Sequence, residues 1–212
     1  METITYNLET KGAVYQRKGE FSSFVAPIED SEIPTSEPTN FYPSHSEYRE
    51  STEDKIVSFE NNREEAVRSV FDVADYILSI LPEKECTTMK LHKLLYYCQA
   101  WSMVWREKPL FKEKIEAWAN GPVIRKLFSF HRGLYEIHAY DMAIGNANLL
   151  SQEQKSVIED VIKFYGDKEP QWLIDLTHSE DPWRDARKGL KSEEPGENEI
   201  TLEAMSLYYS SL

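Results

Sequence analysis

The chain has 212 residues, 41% hydrophobic and 12% aromatic, enough for one large domain, or one domain with an extension, and for a sizeable core. Its 37 acidic and 24 basic side chains give a formal charge of −13, which argues against a nucleic-acid binder, because holding phosphates takes a basic face. Two cysteines without CxxC spacing exclude a secreted disulfide scaffold, and no run of about 18 apolar residues offers a membrane span. The start, Met1 to Tyr6, lacks the basic residues and apolar run of a signal peptide, so the cytoplasm is the expected compartment. An acidic surface also suits a protein that meets basic partners, such as RNA- or nucleotide-handling enzymes.

In chain order, residues 1–62 read as an acidic extension. Up to Ala66 there are 14 acidic and 6 basic residues, a net of −8, against a net of −5 for the remainder. Pro27, Pro34, Pro38 and Pro43 fall among Ser, Thr and Glu and keep regular elements short. The runs Ala13–Tyr15 and Phe21–Val25 flank Lys18-Gly19-Glu20 as the arms of a small hairpin. Ser51 to Phe59 has room for one or two helical turns.

Residues 63–212 read as a compact, mainly α-helical domain. Asn62 and Glu65 have the spacing of a capping box. Val67, Val70, Phe71, Ala74, Ile77, Leu78 and Leu81 then follow as one apolar stripe that Pro82 ends. Thr87 or Thr88 opens a second helix to about Arg106, apolar around most of its circumference and so predicted to be central. Pro122 fits the first position of a helix reaching Leu134, and Tyr135 to Leu150 reads as a loop. Ser151 with Gln154 caps a helix that Gly166 ends. Shorter helices are predicted over 170–176, 182–188 and 201–212.

A search for chemistry finds no catalytic set, metal site or cofactor motif. His92 has no second ligand one turn on, His131 and His138 lack a zinc spacing, and no Gly-rich phosphate loop occurs. His178-Ser179-Glu180-Asp181 cannot fold into a triad from a single turn, and Ser179 to Asp181 reads instead as the cap of the next helix. A hydrolase built on His178 or His131 with a nearby acid is the remaining enzymatic alternative. Arg125, Lys126 and Arg132 form a small basic helix face. The Trp and Tyr side chains read mostly as core, with one or two free to serve an interface.

Three segments carry more. Lys90 to Trp101 reads KLHKLLYYCQAW, Glu116 to Val123 reads EAWANGPV, and Leu176 to Arg187 reads LTHSEDPWRDAR. In this order and spacing they resemble the Panacea domain, or SocA-like antitoxin domain, of bacterial and phage toxin–antitoxin systems, from about Val67 to Leu212. His92 and Cys98 depart from the family's pattern. The resemblance implies an antitoxin that neutralises a cognate toxin, encoded by the adjacent gene, by direct protein–protein binding, without catalysis or cofactor. The alternative it implies is a proteolytic adaptor that delivers a bound toxin to a host protease. It marks Lys90, Lys93, Leu94, Tyr97, Gln99, Trp101, Trp118, Gly121, Pro122, Val123, Thr177, His178, Pro182 and Trp183 as core or interface positions. The extension shows no helix-turn-helix pattern, so DNA binding is not expected. Glu29, Asp30, Glu32 and Glu37 lie among the apolar Phe21, Phe24, Ile28, Phe41 and Tyr42, the composition of an arm that contacts the toxin.

Overall fold

The computed structural model describes strands Thr3–Asn7, Gly12–Arg17 and Glu20–Ser22 and, apart from residue 143, residues 67–212. The chain divides into two units, Met1–Glu37 and Pro38–Leu212. In the first, β1 (Thr3–Asn7), β2 (Gly12–Arg17) and β3 (Glu20–Ser22) form an antiparallel sheet in that order. The expected hairpin is β2–β3, with Phe21 opposite Gln16, and β1 adds a strand that the sequence reading did not foresee. The Asn62 cap, the Ser51–Phe59 turns and the arm residues Phe24, Ile28, Glu29, Asp30, Glu32, Glu37, Phe41 and Tyr42 lie outside the described residues.

The second unit is mainly helical. Its first described helix, α1 (Val70–Ile80), opens at a full capping box of Ser69 and Asp72. Val67, expected in the apolar stripe, lies before the helix and is exposed. Arg68 explains the late start: it forms a parallel bridge to Phe111 and donates its N–H to the Leu110 carbonyl, which commits the backbone there to an extended form.

The short strand β4 (Glu85–Thr87) leads into α2 (Thr88–Trp105), where the Thr87 hydroxyl accepts from the Lys90 N–H. Every residue from Leu91 to Ser102 is buried, as expected of a helix apolar on all sides. Leu95 is fully buried there, so Leu95→Ala should cost about 2–5 kcal/mol of stability through lost transfer energy and a cavity. A urea melt that moves by less than about 0.5 kcal/mol would place this helix outside the core, since cavity-forming substitutions do not cost so little.

The Gly121-Pro122 segment corrects the sequence reading. It does not open a helix; β6 (Gly121–Val123) pairs antiparallel with β5 (Ile115–Trp118) across an Ala119-Asn120 turn. Pro122 is tolerated because the sheet order is β6-β5-β8, with β8 at Glu199–Ile200, which leaves β6 at the edge. Helix α3 (Arg125–His131) follows. The predicted loop up to Leu150 holds β7 (Glu136–His138), paired with β4, and 3-10 turns at Ala139–Met142 and Ala147–Leu149.

Helix α4 (Gln152–Tyr165) has the expected Ser151–Gln154 capping box, and Gly166 caps its end. Helices α5 (Pro170–Ser179), α6 (Asp181–Ala186) and α7 (Leu202–Tyr209) complete the unit. Helix α2 packs against α1, α4, α5, α7 and β6.

Candidate functional site

The three motif segments lie far apart in sequence and meet on α2. One turn of that helix presents Lys93, whose side chain is fully buried and whose Nζ donates to the Pro122 carbonyl at 3.1 Å. Gly121 lies directly above the amine with φ at +95°, and a Cβ there would meet Lys93 Cε at 2.7 Å and Thr177 Oγ1 at 3.1 Å. Only glycine satisfies both the backbone angle and the space. Burial holds the Lys93 ammonium down to about 7.

Beside this bond stands His178, stacked on Trp183 with ring centroids 4.0 Å apart. Burial, with Lys93 and Arg187 nearby, lowers the His178 imidazole to about 4. Its Nε2 is buried without a hydrogen-bond partner. The Trp183 indole donates to the Trp118 carbonyl at 3.0 Å, and the Trp118 indole donates to Glu116 at 2.8 Å. Arg187, at the end of the third segment, donates to the carbonyls of Ala117, Lys191, Ser192 and Glu194. The strands, α2 and the α5–α6 corner are thus held together by polar contacts made almost wholly by motif residues.

One turn further along α2, Tyr97 donates to Glu180 at 3.3 Å, and Tyr209 of α7 donates to the same carboxyl at 2.6 Å. Tyr209 also reaches Tyr96 at 3.2 Å, and Tyr97 stacks on Tyr165 with centroids 4.1 Å apart. Burial raises the Glu180 carboxyl to about 8, against the lowering effect of its bonds to Tyr209 and Tyr97. This corrects the expected cap. Glu180 occupies the N-cap of α6, but its side chain makes no cap bond, and the Ser179 hydroxyl donates backwards to the Leu176 carbonyl. The buried tyrosine hydroxyls win the carboxyl because in the core an unpaired donor costs more than an uncapped N–H at a wet helix end.

The other predicted positions take structural roles. Leu94 and Val123 are buried, and Pro182 is packed at the start of α6. The Gln99 amide donates to the Phe111 carbonyl while its oxygen accepts from the N–H groups of Leu110 and Phe111. Trp101 donates to Tyr165, and Lys90 sits in the first turn of α2. The basic face read on α3 is largely neutralised: Arg125 pairs with Glu116 and Glu197, and Lys126 with Glu113.

Sequence reasoning missed a histidine pair. The Ile124 N–H donates to His92 Nδ1, which leaves the His92 proton on Nε2, 2.9 Å from His131 Nε2. Burial, with His131 and Lys93 nearby, pushes the His92 imidazole well below its ordinary value. Each ring serves the other, and among the described residues no group of three or more His, Cys, Asp or Glu is placed to hold a metal ion. Neither His131 nor His178 is hydrogen-bonded to a carboxylate among the described residues. No helix among them is long and apolar enough to cross a membrane.

Part of the sequence matches a known family model. Residues 91–184 match the family model described as the antitoxin SocA-like, Panacea domain, the family that the three motif segments resemble. No curated protein and no solved structure matches the chain. The match runs from α2 through the Glu180 corner to Arg184, whereas Tyr209, which closes the carboxyl cluster, lies beyond it. The match supports a toxin–antitoxin role at the level of the family.

Proposed function

We propose that this protein is an antitoxin that binds a cognate toxin directly and blocks it, with no catalysis of its own. The observation that carries this reading is the fate of the family's motif residues. Lys93, Gly121, Pro122, Thr177 and Glu180 are spent inward, on one another and on the backbone. Chemistry on a substrate needs reactive groups within reach of it, whereas these residues hold a scaffold whose outer surface is left for a partner. The compartment is the cytoplasm. The acidic arm, including Glu29, Asp30, Glu32 and Glu37, contributes to which toxin is chosen.

Co-expression tests this reading. The product of the adjacent reading frame, expressed alone, should arrest growth; this chain should restore it, and the two should co-purify. Restored growth with no complex, lost when the host protease is depleted, would move the protein to the adaptor class. A growth arrest that this chain does not relieve would overturn both.

A further inference from the structure

The described surface is unevenly apolar. Phe130, Leu134, Tyr135, Tyr140, Ile144 and Leu149 are all exposed within one stretch of chain, Tyr140 at 74% and Ile144 at 57%, while only three other large hydrophobics among the described residues are exposed. A concentration of exposed large apolar side chains is a mark of an interaction site.

The strip is built rigidly. Phe130 sets its ring edge-on to Phe71 of α1, centroids 5.5 Å apart. The backbone of Gly145 lies so close to the Phe71 carbonyl that no Cβ fits between them. Immediately after it, the N–H groups of Asn146 and Ala147 donate to Asp72 and Asp75 of α1, each at 2.9 Å. These contacts clamp the backbone next to Ile144 onto the helix. Tyr140 is stacked on His138 at 4.8 Å, and His138 is held by Glu85 through its ring and by Asp141 through its N–H. Aromatic and aliphatic groups held in place before binding lose little entropy on contact, as interface anchors require.

We infer that this strip, from Phe130 and Ile144 across to Tyr140, is the face on which the helical unit docks the toxin, a partner with an apolar projection set in a basic surround. The inference rests on the antitoxin reading above. Charge favours this occupant over a second copy of the chain. On the β4–β7 pair and the turn that carries Tyr140 stand Glu85, Glu136 and Asp141 against Lys84, an acidic excess. A second copy of the chain would bring a like charge of −13, which opposes self-association through this face. A basic partner is attracted and steered.

The test uses the full chain and the product of the adjacent reading frame. Tyr140→Ala combined with Ile144→Ala should weaken binding at least tenfold and abolish growth rescue, with an unchanged circular dichroism spectrum and thermal midpoint. Leu207→Ala, on the exposed side of α7, should bind as the parent does. Glu136→Lys should weaken binding at low salt, and the loss should shrink as salt rises. Full binding by the double variant would overturn the docking face and leave the antitoxin reading intact. A parent dimer that this variant dissociates would also overturn it, in favour of a second copy. If the parent chain itself does not bind the product, the antitoxin reading fails and this inference fails with it.

Discussion

The stability difference between the parent protein and Glu180→Gln should fall as pH rises from 4.5 to 8, and the difference from Lys93→Met should rise between pH 7 and 10.5. Both expectations follow from proton linkage. The Glu180 carboxyl is raised from 4.5 to about 8, because burial disfavours its ionised form more than the bonds from Tyr209 and Tyr97 favour it. Between those values the folded protein holds a proton that the unfolded chain has released. The stabilisation is therefore fully present below pH 4.5 and gone above pH 8. Lys93 behaves oppositely, since burial lowers it from 10.5 to about 7. Between pH 7 and 10.5 the unfolded chain carries a proton that the folded protein lacks, so rising pH favours the fold.

Each limb has a limiting slope of about 1.4 kcal/mol per pH unit. The lowered His92, His131 and His178 also shape the acid limb of every protein; they are common to parent and Glu180→Gln and cancel in that difference. Lys93→Met, in contrast, removes a charge that helps lower His92 and His178, an effect that falls below the pH 7 to 10.5 window. Urea unfolding at pH 5, 7.5 and 9.5 on the three proteins is sufficient. Differences that stay flat with pH would show that the two groups sit in wetter surroundings than their full burial implies.

The helices of this fold were legible because their signals are local. The stripe of α1, the all-round apolarity of α2 and the Ser151–Gln154 box each lie within one element, and each appears as expected apart from the Ser69 start. What escaped depends on residues that meet only in the folded chain. Pro122 obeys two rules, one for helix starts and one for edge strands, and the pairing of Ala117 with Pro122 decides between them. His92 and His131 stand 39 residues apart, and no spacing pattern announces their bond. Glu180 carries the local signature of a cap but is claimed by Tyr97 and by Tyr209, which lie 83 and 29 residues away. The motif segments showed which residues matter, and the structure supplies the reason: an amine under a glycine, a carboxyl between tyrosines, and an arginine gathering carbonyls.

Deleting residues 1–60 should leave a folded helical protein that protects poorly against its toxin. The described core supports the first half, because Leu94, Leu95, Val73, Ile158 and Tyr209 close around α2 within residues 67–212. The second half follows from charge and composition. Residues 1–66 hold −8 of the total −13, so most of the field that draws a basic partner resides there. Steering of this kind acts on the association rate and weakens with salt. The apolar Phe21, Phe24, Ile28, Phe41 and Tyr42 lie among the acids and add burial on contact. A loss of tenfold or more in affinity, about 1.4 kcal/mol, should appear chiefly as slower association at low ionic strength. Replacing Glu29, Asp30, Glu32 and Glu37 with their amides in the full chain separates the contributions: it should slow association while leaving dissociation nearly unchanged. If the truncated protein rescues growth as well as the full chain, the arm plays no part in recognition, and the choice of toxin rests on the helical unit alone.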